Sequence, residues 1–484
     1  MTRSIHRSRL LSHLLIPVIL ILLTGPLSSQ DWPMAGGNPA RTCCCVIGIP
    51  QPPLRPATPS LLQISRLQVL SYSDGTLYAA SSGDPNRLTA IDAGSGSILW
   101  TFDIPATTGS MNHVPAVTDE LVLVSGQHAT ALYALHRQDG TLAWSVPIGS
   151  AYSRNAIIDG DRAYIVTDSL HCIDLTAGAL LWSYASFDAQ TTPAVDDDAV
   201  YVVGDRVLTA IEKLTGQEIW SIPADERSYG HVIAADDALY ASDRWAVRAV
   251  SKTDGAVQWT APFPEVRFFA QFSTGCLALS DDVLCVGIWE DTTGVGGLVA
   301  LDRSSGDRIW SYFFETEGVF SPVIVGNTVY VTDYVNDALW GFRLSDGTLV
   351  FENREASYLG QPIPADGKLY VPSSGGIRVF EEGTVGVATH NPPAAAMQLD
   401  IAPNPARDAV AVTVSLRKPT PLRVSVHDLL GREIAVIANA SYDAGRHVFR
   451  WDAAAGSIAT VPTGIYLVTV RGGDMQQTKS LLLY

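Results

Sequence analysis

Positive charge is scarce in this chain. Its 484 residues carry 32 Lys and Arg against 49 Asp and Glu, a formal net charge of −17. Nucleic acid and anionic membranes are bound through clustered cations, so both are disfavoured as partners. An acidic surface suits cationic ligands or metal ions, and solubility is its plainer use. Long apolar runs are missing too. Leu14–Leu23 amounts to about ten residues, too short to span a bilayer. No later stretch reads as a transmembrane helix. Cysteine is limited to six residues. None stands at a zinc-site spacing with His, and the haem-attachment motif C-x-x-C-H does not occur.

What is present starts with an export signal over residues 1–29. Arg3, Arg7 and Arg9 precede the apolar run, and Gly25, Ser28 and Ser29 lie before a cleavage point beside Gln30. No Cys follows directly, so a lipid-anchored N-terminus is not expected. Export makes disulfides available. Cys276 and Cys285 flank the Asp281-Asp282 turn and are a candidate pair, while Cys43, Cys44 and Cys45 are consecutive. Cys172 sits where other repeats place Ala, which marks it as a small core residue.

The body is organised by one recurring stretch. A-I-D-A-G-S-G-S-I-L-W at Ala90–Trp100 returns at Ala134–Trp144, Cys172–Trp182, Ala210–Trp220, Ala249–Trp259 and Ala300–Trp310. A further copy, Gly341–Phe351, carries Phe for Trp, and every copy has Gly four residues before the aromatic. A period of about 38–51 residues marks a blade-repeat architecture. The Gly suits a hairpin turn that needs φ > 0. One blade cannot bury a large ring alone, so each ring is placed in the seam between neighbouring blades.

Between the copies lie an apolar strand, a polar turn such as Asp159-Gly160 or Asp366-Gly367, and a second strand carrying Tyr. Asn155–Val166, Thr192–Val203 and Ser321–Thr332 show the pattern, and Gln361–Val371 supplies an eighth unit. That last unit has no aromatic strand after it, and Leu61–Ile64 has no other owner. The expected fold class is therefore all-β. An eight-bladed β-propeller over residues 31–383 is closed by Leu61–Ile64 as the outer strand of its last blade. The acidic turns Asp196–Asp198 and Asp236-Asp237 read as solvated hairpin turns, with calcium binding as the sharper alternative.

The opening D-W-P-M-A-G-G-N-P-A-R-T at Asp31–Thr42, together with these repeats, resembles the quinoprotein-type (PQQ-like) β-propellers. The resemblance covers Asp31–Phe380. That superfamily holds alcohol dehydrogenases that use pyrroloquinoline quinone. It also holds non-catalytic members such as the propeller lipoprotein of the outer-membrane β-barrel assembly machinery. It therefore implies fold more than activity. Some family enzymes carry a vicinal disulfide over the cofactor, which makes a pair among Cys43–Cys45 suggestive. These Cys, however, precede the closing strand and are not expected over the channel, and the body lacks long inserted loops for a cofactor chamber. No cofactor is expected, and pyrroloquinoline quinone with calcium is the alternative.

Residues 384–398 read as a Pro/Ala-rich linker. Leu399–Tyr484 carries about seven short alternating strands, which suits a small Ig-like antiparallel β-sandwich. Its Pro403-Asn404-Pro405 opening, Asp428-x-x-Gly431-Arg432, Pro462-x-Gly464-x-Tyr466 and Lys479 resemble the type A C-terminal sorting domain of type IX secretion. The resemblance implies the type IX secretion machinery as a partner. It also implies passage through the periplasm to the outer cell surface or the medium, usually with removal of the domain. A structural sandwich that binds carbohydrate is the alternative.

Propellers gather ligand sites at the central channel, where innermost strands begin. Aligning the repeats puts Gln68, His113, Arg154, Asn155, Thr191, His231, Phe320 and Gln361 there, with Asn112, Tyr229 and Tyr358 close by. The mixture suits a small polar ligand or a peptide segment, and a hydrated channel is the plainer reading. No spacing identifies a triad, a metal cluster or an acid–base pair. The expected protein is a secreted or cell-surface monomer, a non-catalytic binding or scaffold propeller for an unknown protein or small molecule. A quinone-dependent dehydrogenase or another propeller-based enzyme is the alternative.

Overall fold

The computed structural model describes residues 34–38, 41–43, 51–383 and 397–483, except 65–66, 106–112, 127–129, 150–153, 186–190, 205–206, 224–230, 243–245, 264–276, 291–294, 315–321, 334, 336, 356, 359, 403–405, 408, 417–418, 428–431, 444, 453–460, 463 and 473–474. The proposed signal segment lies outside these residues. Among them every regular element is a strand, and there is no helix. The chain divides into two units, Met1–Gly386 and Val387–Tyr484.

In the first unit the described residues form eight four-stranded antiparallel sheets. The first sheet holds Leu67–Ser73, Thr76–Ser81, Arg87–Asp92 and Ile98–Asp103. The next six each take four consecutive strands in the same way. First strands of successive sheets lie against one another, so the sheets converge there and splay apart at their fourth strands. The eighth sheet holds Ile363–Ala365, Lys368–Ser373 and Gly376–Glu382, and Leu54–Leu62 pairs antiparallel with the last of these. The N-terminal end thus completes the C-terminal sheet. Tyr72 of the first sheet stacks on Tyr370 of the eighth, with ring centroids 5.6 Å apart. The closing strand is longer and earlier than Leu61–Ile64, and Ile64 lies outside it. Pro56 and Pro59 obscure its alternation, and the register shifts between Pro56 and Leu61. An outer strand tolerates proline because one of its edges needs no donor.

Within a sheet the repeat is a cross-strand ladder. Tyr78 pairs with Ala90 and Ala90 with Trp100, and Tyr201, Ala210 and Trp220 do the same in the fourth sheet. The small residue lets the flanking rings meet above it, at 6.0 Å for Tyr78–Trp100 and 6.3 Å for Tyr201–Trp220. Cys172 fills that position between Tyr164 and Trp182 and is fully buried, as its place in the repeat implies. In the seventh sheet the position is Gly341, where a Cβ would stand 3.0 Å from both Tyr330 and Phe351. A bulge follows the small residue in each case, which turns the aromatic strand out of register.

Between sheets, each Trp reaches over the turn of the next. The Trp100 indole donates to Arg137 O at 2.9 Å, Trp144 to Leu175 O at 2.9 Å and Trp220 to Lys252 O at 2.8 Å. Trp182, Trp259 and Trp310 make the equivalent bond. The ring lies flat against the turn glycine. A Cβ on Gly140 would come within 2.5 Å of Trp100, and Gly140 has φ 70°. Only glycine accepts both conditions. At the ring's closure Leu62 takes the place of the indole, and a Cβ on Gly96 would meet it at 2.8 Å. Trp100 is 8% exposed, whereas Trp144, Trp182, Trp220, Trp259 and Trp310 are only half-buried. They are seam residues, as expected, but not wholly buried ones, because the turn they cover is itself at the surface.

The scarce cations are spent in the same seams. Lys252 donates to Asp196 of the preceding sheet at 2.7 Å and to Ala235 O at 3.0 Å. Lys213 reaches Asp159 at 2.8 Å. Arg303 bonds Asp237 and the Tyr240 hydroxyl, and Arg137 bonds the Tyr78 hydroxyl at 2.9 Å. The backbone carbonyl of each of these four residues receives the neighbouring indole. Asp196 and Asp237 are therefore partners of a basic side chain. Burial works against the Asp196 carboxylate, but bonds from Lys252, two backbone amides and Tyr201 hold it below the ordinary 3.8.

In the second unit, Met397–Ala402, Ala409–Leu416 and Gly445–Asp452 form one antiparallel sheet. Thr420–His427, Glu433–Tyr442, Gly464–Gly472 and Met475–Leu483 form another. Alternate residues of both, such as Val410, Val412, Val424, Val426, Val468 and Val470, share one buried core. Met397 and Gln398 belong to its first strand and not to the linker. Their apolar–polar alternation continues Leu399–Ile401, and the Ala-rich run before them masks the start.

Trp182→Ala should cost about 2–4 kcal/mol, below the range for a wholly buried ring. Gly216→Ala should cost about 1–3 kcal/mol through backbone strain and overlap with Trp182. Gly216 has φ 73°, and its Cβ would lie 2.6 Å from that ring. Urea unfolding of the double variant should show less than the sum, since removing the ring removes the overlap. Strict additivity would contradict the seam contact.

Acid should loosen the same seams. A carboxylate with a lowered folded pKa contributes stability above its unfolded pKa, and that contribution is lost as pH falls through the folded value. Asp196, Asp237 and Asp302 all lie below 3.8. Denaturant midpoints should therefore fall as pH drops below about 4, and the fall should be shallower in Asp196→Asn. An identical pH profile in that variant would count against the pairing.

Candidate functional site

The residues entering each first strand are held by a chain of polar contacts. Asn155 Oδ1 accepts the Val114 amide at 2.7 Å, and Asn155 Nδ2 donates to Thr192 Oγ1 at 2.9 Å. Asn155 thereby ties the second, third and fourth sheets. Thr191 donates to Val203 O at 3.1 Å, and Ser242 Oγ accepts the His231 amide at 3.1 Å. His113 Nδ1 lies 3.4 Å from Ser125 Oγ. Gln361 is buried and Tyr358 fully so, the latter with its hydroxyl on Asn353.

A second set of groups comes from Met34–Asn38 and Arg41–Cys43. Asn38 binds both the Thr42 amide and the Thr42 hydroxyl, which folds this segment on itself. Arg41 Nη1 donates to Thr192 O at 2.7 Å, and Thr42 O accepts the Leu279 amide at 2.8 Å. Cys43 O accepts the Ile324 amide at 2.9 Å, and Gln361 Nε2 lies 3.5 Å from Cys43 Sγ. One short segment thus touches the fourth, sixth, seventh and eighth sheets where their first strands run. The expectation that the cysteines stand away from this region is overturned for Cys43. Sequence distance from the closing strand misled, because the segment folds back inside before that strand begins. Cys44 and Cys45 lie outside the described residues.

Electrostatics separate these groups sharply. His231 is 5% exposed, and neither ring nitrogen has a hydrogen-bond partner. Burial first, then the positive charges of Arg41 and Arg154, pull its pKa down to about 3, so its imidazole is neutral. Burial raises the Cys43 thiol, outweighing Arg41 and the Gln361 bond. A protonated, buried thiol is not a nucleophile. Cys43, Cys172 and Cys285 are free thiols. The Cys276–Cys285 bridge is therefore absent, since Cys285 pairs across with Ala278 and is fully buried. Cys276 itself lies outside the described residues.

Of the residues proposed for the entrance, Asn155 bonds Thr192, which also binds Arg41, and the charges of Arg41 and Arg154 act on His231; Thr191 adjoins Thr192 in the chain. His113 and Gln361 stand at the entries of other sheets with partners of their own. Gln68 lies on its first strand at the register shift between Leu67 and Val69, and its side chain is not described. Phe320, Asn112 and Tyr229 lie outside the described residues. Sequence reasoning missed Arg41, Thr192 and Cys43. The only signal for Arg41 was the G-N-P-x-R-T run, which reads as a signature and not as a ligand. Among the described residues no group of three or more His, Cys, Asp or Glu is placed to hold a metal ion. Nor is any helix long and apolar enough to cross a membrane.

In the second unit, Tyr466 is buried and donates to Pro462 O at 2.8 Å, with Trp451 edge-on at 6.3 Å. The motif pair Pro462/Tyr466 thus pins the start of Gly464–Gly472. Lys479 is exposed opposite Val468. Pro403, Asn404, Pro405 and Gly431 lie outside the described residues.

Comparison with known proteins agrees with this geometry. The family model described as outer membrane protein assembly factor BamB matches residues 61–165, 131–265 and 243–388. The chain belongs to this family of PQQ-type propeller repeats. A second model, described as a secretion system C-terminal sorting domain, matches residues 400–484. BamB of Shigella dysenteriae serotype 1 is 23% identical over 323 residues, 63% of this chain and 71% of the relative. The crystal structure of BamB from Moraxella catarrhalis superposes with a TM-score of 0.55 at 20% identity, covering 68% of this chain and 97% of that one. The quinohemoprotein alcohol dehydrogenase from Comamonas testosteroni gives 0.60 at 14% identity, covering 73% and 81%. At such identities these structures speak for the fold alone. The type IX sorting domain indicates export to the cell surface or the medium.

Proposed function

We propose that this protein is an eight-bladed, non-catalytic binding or scaffold propeller, carried across the outer membrane by an Ig-like type IX sorting sandwich. The observation that carries the non-catalytic reading is the Arg41–Cys43 segment seated across the first strands. The chain's own backbone is hydrogen-bonded where a cofactor chamber would have to open. The donor set argues the same way. Calcium takes oxygen ligands with carboxylates among them. The described groups around Arg41 are Arg154, His231, Asn155, Thr191 and Thr192, none of which is an acid, and Asp333, buried at the end of Thr328–Asp333, belongs to no group of three or more such ligands among the described residues. They do not fit a calcium–quinone pair. The low, protonated reactivity of Cys43 removes the nearest nucleophile. The pairing of Asp196 and Asp237 with basic side chains supports structural acidic turns.

The passage inward through the periplasm is part of the same reading and rests on Arg3, Arg7, Arg9 and the following apolar run. The sorting role rests on the second unit's own core, which closes without residues of the first.

Two experiments test the proposal. A chain ending after Gly386, expressed in a bacterium with type IX secretion, should fold and accumulate in the periplasm. The full-length chain should reach the surface or medium. Equal export of the two would refute the sorting role. Reconstitution of the full chain with pyrroloquinoline quinone and calcium should give no stoichiometric quinone absorbance and no alcohol oxidation. Either signal would replace the binding reading with the dehydrogenase one.

A further inference from the structure

We propose that Arg41, Arg154 and His231 form an interior site for a small oxoanion. The ligand is a carboxylate or phosphate group held between the Arg41–Cys43 segment and the entries to the third, fourth and fifth sheets. This deepens the binding role proposed above and rests on it. It names the chemistry of the ligand.

The first observation is an unsatisfied imidazole. Buried polar atoms in folded proteins are almost always hydrogen-bonded, because burying them bare forfeits their bonds to water. His231 is 5% exposed, yet Nδ1 and Nε2 both lack a partner. A neutral imidazole carries one N–H donor, which an anionic oxygen accepts. The second observation is the charge around it. The positive charges of Arg41 and Arg154 both act on His231. Arg41 is itself only 3% exposed. Guanidiniums gathered inside a low-dielectric interior favour an anion between them, and their planar forks suit carboxylate and phosphate oxygens.

The third observation is how these groups are held. Arg41 is fixed by its bond to Thr192 O, and Thr192 Oγ1 is fixed by Asn155, the neighbour of Arg154. The Arg154 amide donates to Val166 O at 2.9 Å, and the His231 backbone is pinned by Ser242 at both its amide and its carbonyl. Each group comes from a different stretch of chain, and none of these bonds uses the imidazole. Holding the Arg41 side chain and the backbones of Arg154 and His231 in advance lowers the ordering that binding requires. A net charge of −17 would repel anions from the surface, so an anion held here is bound by local geometry and not by the field of the molecule.

The test uses the full chain and thermal unfolding at fixed ionic strength, with acetate, phosphate or chloride as the added anion. Acetate or phosphate should raise the midpoint saturably by about 2–4 °C over chloride. A response to acetate alone identifies the carboxylate, and a response to phosphate alone identifies the phosphate. In Arg154→Gln the affinity for the responding anion should fall at least about tenfold. His231→Leu should melt no lower than the parent chain in chloride, because an apolar side chain leaves no bare polar atoms. It should also lose the anion response. The proposal is overturned if neither anion shifts the midpoint, or if the shift survives undiminished in both variants. A failure here leaves the secretion result of the shortened chain intact, so the two readings fail separately.

Discussion

The first unit depends on one contact: an indole lying flat on the turn glycine of the next sheet. A four-stranded sheet of this size has two faces and little to cover them. The indole supplies apolar area for the seam, and its N–H ties the seam to a fixed backbone carbonyl, as Trp100 does to Arg137. The glycine is then doubly determined, by its positive φ and by the ring above it. Small residues at Ala90, Cys172 or Gly341 follow from the same ring, which needs room to meet a tyrosine across the strand. Repeat, turn and ladder are one constraint read at three places.

Charge scarcity fits the same scheme. The few basic side chains recur one or two positions after the third strand of a sheet, where Arg137, Lys213, Lys252 and Arg303 cross to the preceding sheet's first hairpin. Each of these residues also gives its carbonyl to an indole. Packing and ion pairing therefore converge on single residues, and acid turns that resemble cation sites in the sequence are already neutralised. Around Arg41 and Arg154 the same economy is reversed. There the charges of Arg41 and Arg154 both act on a neutral, buried histidine.

The seams were legible in the sequence because their cause is periodic. Glycine, aromatic and small residue return at fixed offsets, and only a stacked arrangement uses all three. The closing strand was half legible. Leu62 stands where the other seams have an aromatic, but Pro56 and Pro59 break the alternation that would have marked its start. The interior site was legible only in part. His231, Arg154 and Asn155 align with the repeats and could be placed by them. Arg41 and Cys43 could not, since they belong to no repeat and reach the first strands by folding back ahead of the chain's first sheet. Thr192 contributes a backbone carbonyl, for which side-chain identity gives no signal. The membership in the BamB family and the sorting-domain match cover the parts that periodicity and motif had reached, and leave the Arg41 segment to geometry.

The central claim is that indole-on-glycine seams, closed by Leu62 over Gly96, hold the sheets as a single cooperative ring. Hydrogen exchange at the indole N–H groups of Trp100, Trp144, Trp182, Trp220, Trp259 and Trp310 tests it most directly, compared between the parent chain and Leu62→Asp. The account predicts slow exchange at all six in the parent chain and acceleration by a common factor in the variant, because opening one seam releases the ring. Acceleration confined to Trp100 and its neighbours, or no change at all, would contradict it.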